Sequence, residues 1–239
     1  MLLIGAAGSL LAAIIQAFAE TSRFPVVIFL MVALICVMLL LGIFVQRLRD
    51  LRVLGIKRWE SSMAVGTTTE ECMKHSHRHL AFLGIAATKW TRDETRLCDM
   101  LRHHASRGGG ARFLLLDPDS PACQEFNSIK QNNDTSLADI IRDSVRRLIQ
   151  LRDNHHLPIE VKYYSSQPIF RITILDESTI IVGLYSHSSS TGQDTPQLFF
   201  EHGSSEWSYY YAFNALFASM WRTAASANDN CESSSEGLK

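Results

Sequence analysis

Residues 25–45 form an apolar run that contains no charged side chain. As a helix this run would be about 31 Å long at ~1.5 Å per residue, close to the thickness of the hydrocarbon core of a bilayer. A helix in a soluble core is rarely apolar on every face over such a length. The sequence therefore predicts a membrane span, and this span constrains everything that the rest of the chain can fold into.

A second apolar run precedes the first. Residues 2–19 carry no charge, and the connection at 20–24 contains one acid and one base. Two spans joined by so short a loop predict a helical hairpin over residues 1–47, with spans at 2–19 and 25–45 and both ends on the same side. The alternative is a cleaved signal peptide, because Ala17-Phe18-Ala19 has the small-x-small form of a cleavage site. That alternative also leaves the second span in the membrane.

Basic residues after the second span predict its orientation. They are Arg47, Arg49, Arg52, Lys57 and Arg58, and only Asp50 opposes them over that stretch. Lys and Arg close to a span mark the cytoplasmic side. We therefore expect an integral protein of the inner (plasma) membrane whose carboxyl-terminal domain is cytoplasmic. Its first partner is the lipid bilayer, and the cations fit anionic phospholipid headgroups.

Composition limits the class of the cytosolic part. The chain has 239 residues and a net charge of −1, which does not suit a strongly basic nucleic-acid binder. Its five cysteines are scattered without a C-x-x-C pair, which fits reduced thiols and gives no cysteine-based zinc site. We predict no cofactor. The expected organisation is a basic linker at 48–79, one domain at 80–223 and a disordered tail at 224–239 that has no large apolar residue before Leu238.

Strand and helix patterns alternate within this domain. Short apolar runs at 82–88, 111–116 and 158–163 predict buried strands, and 169–175 with 179–185 predict a hairpin. Helical spacing predicts helices at 91–106, 137–154 and 207–222, and an edge strand is expected at 197–201. The predicted fold class is α/β, with a mixed β-sheet flanked by helices.

The predicted hairpin carries the main functional clue. It reads Ile169-Phe-Arg171-Ile-Thr-Ile-Leu-Asp176, and Gly183-Leu-Tyr-Ser186 follows. This layout resembles the phospholipase D superfamily, whose signature is H-x-K-x4-D followed by G-S-x-N. The resemblance covers roughly residues 80–222 and implies a phospholipase D-like fold.

The departures from that signature argue against catalysis. In active members the His is the nucleophile and the Lys neutralises phosphate oxygens, whereas this chain places Ile169 and Arg171 at those positions. Asp176 matches the Asp of the signature, and Ser186 stands where the Asn would be. An isoleucine is neither a nucleophile nor a general acid. Active members also join two motifs across one site, and a homodimer of this chain would bring together two isoleucines.

Arg171 still suits a phosphate, because its planar fork matches phosphate oxygens. The predicted ligand-binding residues are Arg171, Asp176, Ser186 and His187, with no catalytic residue and no metal ligand. The alternative is that Arg171 pairs with an acid such as Asp176 and binds nothing. His75 and His79 would share one helix face at a spacing that can hold zinc, but no third ligand is evident, and a solvated histidine cluster is the better interpretation.

Three functions remain open at this point. The first is a membrane-anchored and catalytically inactive phospholipase D-like protein that senses or scaffolds through a phosphorylated ligand. The second is a membrane-bound phosphodiesterase that uses a histidine outside the motif. The third is a purely structural interaction module.

Overall fold

The computed structural model of the chain describes residues 23–61, 68–129, 135–185, 196–203, 206 and 208–227. They form seven helices and eight strands, in chain order: α1 Arg23–Val53, β1 Ile56–Glu60, α2 Thr69–His75, β2 His79–Gly84, α3 Thr88–Thr91, α4 Glu94–Ser106, β3 Gly110–Leu116, α5 Pro121–Ile129, α6 Leu137–His155, β4 Ile159–Tyr164, β5 Phe170–Leu175, β6 Thr179–Leu184, β7 Gln197–Glu201, α7 Tyr209–Thr223 and β8 Ala225–Ser226.

Helix α1 is the one helix in the described part of the chain that is long and apolar enough to cross a membrane. Its apolar stretch runs over Ile28–Gln46, 19 residues with a mean hydropathy of 3.2, and none of it is buried. Exposed leucines and isoleucines on all sides fit a lipid solvent better than water. A helix of spanning length is thus confirmed over the predicted second span. The predicted first span at 2–19 lies outside the described residues, so the hairpin stays a prediction.

The eight strands make one mixed sheet with the order β1-β7-β6-β5-β2-β3-β4-β8. Strands β2, β3 and β4 run parallel, and the remaining pairs are antiparallel. The parallel strands are joined by helical crossovers, whereas β5 and β6 form a hairpin. This arrangement confirms the predicted α/β class with a mixed sheet flanked by helices.

Helices α2 to α6 cover one face of the sheet. At its centre Trp90 of α3 is 3% exposed and packs edge-on against Phe82 and Phe113, at centroid distances of 5.8 and 6.3 Å. Burying each such side chain contributes about 2 kcal/mol. In the part of the chain that the structure describes, the opposite face is covered by α7, which contacts β4, β5, β6 and β7. We call it the α7 face.

Two segments differ from the sequence prediction. The stretch predicted as a linker at 48–79 contains β1, which pairs with β7 at the sheet edge, and α2, which packs on α4. Strand β1 was missed because three of its five residues are charged. Helix α2 begins with a capping box between Thr68 and Glu71, a signal that the sequence does contain.

The predicted disordered tail is also corrected at its start. Ala225 and Ser226 pair with β4 as β8, and Ala227 is fully buried. Nothing in the sequence pattern predicts this strand, because a two-residue strand of small residues has no periodicity. Residues 228–239 of the predicted tail lie outside the described part.

Candidate functional site

Arg171 lies at the start of β5, close to the carboxyl end of β6. It is half-buried, and its cross-strand partner is Gly183 of β6. The guanidinium lies over that glycine, since a Cβ added at Gly183 would stand 2.9 Å from Nη2 and 3.3 Å from Cζ. The missing side chain of Gly183 therefore makes the space that Arg171 occupies.

The positive charge of Arg171 lowers the pKa values of two neighbouring groups. Burial raises the pKa of the Cys72 thiol to about 12, and the Arg171 charge opposes that rise without cancelling it. Burial likewise raises the pKa of Tyr185, and Arg171 again opposes it. Both groups therefore stay protonated near neutral pH, and neither the thiol nor the phenol can act as an anionic nucleophile.

Tyr185 is the side chain that sequence reasoning missed. Its hydroxyl accepts a hydrogen bond of 3.1 Å from the backbone N–H of Ile85, just beyond β2, and Phe126 packs edge-on against its ring at 6.2 Å. Tyr185 thus spans from the end of β6 to the end of β2, beside Arg171. Only a fold in which those two strand ends lie together gives this residue a role, so the sequence alone offered no signal.

A second tyrosine hydroxyl lies in the same region. Tyr164 ends β4, and burial raises its pKa well above the ordinary value, with a smaller contribution from Tyr185. Its hydroxyl oxygen is buried and has no hydrogen-bond partner among the residues that the structure describes. A buried hydroxyl without a partner is costly and calls for an explanation, such as an ordered water or a ligand.

Ile169 occupies the position that the resemblance assigns to the nucleophile. The side chain is 57% exposed, and its backbone oxygen accepts a hydrogen bond of 2.9 Å from the Tyr185 N–H. An exposed aliphatic side chain at this point can exclude water from a ligand but cannot transfer a proton.

Asp176 does not lie beside Arg171. The two residues are at opposite ends of β5, about 17 Å apart at ~3.4 Å per residue. The Asp176 carboxylate instead accepts backbone hydrogen bonds from residues 77, 78 and 79 at 2.6–3.0 Å. Partial burial raises its pKa, but these bonds together outweigh burial and hold the pKa below the ordinary value. The sequence-based alternative in which Arg171 pairs with Asp176 is therefore wrong.

The histidine cluster lies at the far end of β2. His79 begins that strand and Gly84 ends it near Arg171, a separation of about 17 Å. Helix α2 ends at His75, so His75 and His79 do not share a helix face. No group of three metal-ligating side chains occurs within the described ranges. Ser186 and His187, which follow Tyr185 directly, lie outside those ranges.

The site that remains is a guanidinium with tyrosine hydroxyls at converging strand ends. Arg171 and Tyr185 come together there, next to the exposed Ile169, while Asp176 fastens the other end of the hairpin. Such a set of donors can hold a phosphate group. Neither a nucleophile nor a general base is present among the described residues of this set.

Comparison with known proteins gives distant likenesses only. No family model and no curated protein matches the chain. A solved structure of TrmBL2, an archaeal chromatin protein with a novel mode of DNA binding, is similar at 14% identity and a TM-score of 0.46, over 92% of this chain and 71% of that one.

Two further likenesses are to enzymes or their relatives. Nuc from Salmonella typhimurium, a phospholipase D family member, is similar at 10% identity and a TM-score of 0.39, over 66% of this chain and 86% of that one. Phosphatidylserine synthase of Haemophilus influenzae is similar at 8% identity and a TM-score of 0.39, over 60% of this chain and 34% of that one. At these TM-scores the likenesses assign neither a family nor an activity.

Proposed function

We propose that this chain is a membrane-anchored, catalytically inactive phospholipase D-like protein that binds a phosphate-bearing ligand and acts as a sensor or scaffold on the cytoplasmic side. One observation carries the proposal. The position that matches the superfamily's nucleophile holds Ile169, while the adjacent Arg171 keeps a cationic fork beside Tyr185.

A site that has lost its nucleophile but keeps its cation is expected to bind a phosphate group without cleaving it. The thiol of Cys72 and the hydroxyl of Tyr185 have raised pKa values, so they remain neutral. A neutral hydroxyl and a guanidinium both donate hydrogen bonds to phosphate oxygens. In this proposal Ser186 and His187 complete the site from the segment that follows Tyr185.

The anchor in this proposal is α1. Its 19-residue apolar stretch has the length that a bilayer core requires. The basic residues that follow it in the sequence favour a cytoplasmic domain. A sensor fixed in this way reports on ligands at the membrane surface, where anionic headgroups and phosphorylated metabolites meet.

The experiment separates binding from hydrolysis. The full chain, purified in detergent, is assayed for hydrolysis of bis(p-nitrophenyl) phosphate and of phosphatidylcholine, and for binding of inorganic phosphate by calorimetry. We expect no turnover, and binding that Arg171→Ala weakens by about 10- to 150-fold, since a charge-assisted hydrogen bond contributes roughly 1.5–3 kcal/mol. Arg146→Ala, an exposed arginine on α6, serves as the matched control.

Two outcomes would contradict the proposal. Turnover that a substitution at His79 or His187 abolishes would instead support a phosphodiesterase that uses a histidine outside the motif. Phosphate binding that Arg171→Ala and Arg171→Lys both leave unchanged would remove Arg171 from the site and favour a purely structural module.

A further inference from the structure

Among the described residues, one helix leaves much of the α7 face uncovered. Eight strands at about 4.8 Å spacing make a sheet roughly 34 Å wide, and a helix with its side chains covers only about 10–12 Å. Helix α7 contacts β4, β5, β6 and β7, so the corner formed by β1 and the carboxyl end of β6 receives little of it.

Apolar side chains occupy this uncovered corner. Trp59 of β1 is 62% exposed and pairs with Leu198 of β7, while Leu184 at the end of β6 is 49% exposed. The register places all three on the α7 face, because Leu198 is also the partner of Val182, two residues before Leu184 on the same strand. Ile169, 57% exposed, lies at the same end but shares the other face of the sheet with Arg171, two residues further on. We call Trp59, Leu198 and Leu184 the Trp59 patch.

Two of the five exposed large apolar side chains outside α1 in the described ranges, Trp59 and Leu184, lie in this patch; the others are Leu54, Ile169 and Tyr209. Contiguous exposed apolar side chains mark a surface that meets another apolar phase. A tryptophan in such a patch is informative, since its amphipathic ring favours the boundary between membrane and water.

The patch is too small for a stable dimer. Its exposed side chains offer a few hundred Å² at most, given that one large aromatic buries about 150–250 Å². A standard protein interface takes roughly 800 Å² from each partner. A lipid surface has no such minimum, because the bilayer moulds itself around a few inserted side chains.

The chain brings the patch within reach of the bilayer. Trp59 follows Gln46, where the apolar stretch of α1 ends, by thirteen residues. The helix continues to Val53 and adds about 10 Å at ~1.5 Å per residue, and six further residues add at most about 20 Å. The sequence from residue 47 to residue 58 contains five basic residues and one acidic residue, a composition that suits anionic headgroups.

We infer that the Trp59 patch rests in the interfacial zone of the bilayer that holds α1, against anionic phospholipid. This inference rests on the proposed anchoring by α1. It means that the domain lies on the membrane surface at the sheet corner where β6 ends. Leu184 directly follows Gly183, over which Arg171 lies, so the end of the sheet that meets the lipid also carries the candidate site, on its opposite face.

Photocrosslinking tests the inference on the full chain. The protein is reconstituted in vesicles of phosphatidylcholine and phosphatidylglycerol at 7:3, with photoreactive benzoylphenylalanine in place of one residue at a time. The chosen positions are Trp59, Leu184, Ile35 within α1, and Arg146, which is exposed on α6. We expect lipid adducts by mass spectrometry at Trp59, Leu184 and Ile35, and none at Arg146.

The arms of the experiment separate the two proposals. Adducts at Ile35 without adducts at Trp59 and Leu184 would overturn the docking and leave the anchor intact, whereas no adduct at Ile35 would overturn the anchor itself. Adducts from Trp59 to a second copy or to its own chain would also overturn the docking. In vesicles of pure phosphatidylcholine, the yield of lipid adducts at position 184 should fall several-fold. Trp59→Glu should lower this yield in the same way, whereas Arg146→Glu should leave it unchanged.

Discussion

The guanidinium of Arg171 lies over Gly183, its cross-strand partner on β6, at the distance where any larger residue would displace it. Gly183→Ala should therefore move the guanidinium and weaken phosphate binding by about tenfold. Stability should change by less than about 1 kcal/mol, because the group that must shift is the flexible end of a side chain. Calorimetry with inorganic phosphate and urea unfolding measure the two effects.

Gly203→Ala is the matched control for that substitution, since the nearest atom to an added Cβ there is 4.0 Å away. Equal phosphate affinity in the two variants would show that the position of Arg171 does not matter for binding.

Asp176 fastens the turn between β5 and β6 to the segment before β2. Asp176→Asn replaces one of the two accepting oxygens by a donor and removes the negative charge that strengthens the hydrogen bonds from the backbone N–H groups of residues 77–79. We expect a loss of about 1.5–3 kcal/mol in the free energy of unfolding. Urea titration at pH 7 measures it, and a loss no greater than that of the exposed control Asp99→Asn would contradict this structural role.

The same carboxylate predicts a pH dependence at the acid end. The folded pKa of Asp176 is lowered, so its stabilising contribution is present above the unfolded pKa of about 3.9 and disappears as the pH falls through the folded value. The wild-type protein should therefore lose more stability than Asp176→Asn between pH 5 and pH 2. Parallel acid titration curves for the two proteins would contradict this.

His104 predicts a second pH dependence nearer neutrality. Its ring is fully buried, with Nε2 3.1 Å from the Ser76 hydroxyl, while Nδ1 has no hydrogen-bond partner in the described part of the chain. Burial lowers the pKa of His104, and a hydrogen bond with the backbone of Ser76 opposes this only in part. Stability should therefore fall as the pH drops below about 6.5, with a slope of at most about 1.4 kcal/mol per pH unit for one proton.

Urea midpoints at pH 5.5 and 7.5 test the role of His104. His104→Gln keeps a hydrogen-bonding side chain beside Ser76 and should remove the slope, whereas the exposed neighbour variant His103→Gln should retain it. A slope that survives His104→Gln would assign the titration to another group.

Strand β8 predicts the effect of truncation. Removing the chain from Ala225 onward deletes the partner of Lys162 and Tyr163 on β4, together with the buried Ala227. Removing it from Asn228 onward leaves that pairing intact. We expect the longer deletion to cost about 1–2 kcal/mol more than the shorter one, measured by thermal unfolding, and equal stabilities would show that β8 contributes nothing.

Elements with strong hydrophobic periodicity could be predicted from the sequence. Elements that form only because another segment packs beside them could not. The amphipathic stripe of α6 and the apolar runs of β3 and β5 gave their positions to within one or two residues. Strand β1 could not be found in this way, because Lys57, Arg58 and Glu60 resemble a solvated basic linker until β7 lies beside them.

The residues of the candidate site likewise differ in whether the sequence could predict them. The motif pattern located Arg171 and Asp176 but implied that they could pair, and the strand register separates them by the length of β5. Tyr185 entered the site only through the packing of β6 against the end of β2, a contact between residues 100 positions apart in the chain.

The pairing of β1 with β7 has a consequence for synthesis of the chain. Lys57 and Glu201, which form an ion pair across these strands, are separated by 144 residues. At a translation rate of about 5–20 residues per second, β1 waits roughly 7–30 seconds for its partner to leave the ribosome. Its charged side chains discourage wrong edge-to-edge pairing during that interval. The same charges that make β1 resemble a solvated linker therefore protect the nascent protein from aggregation.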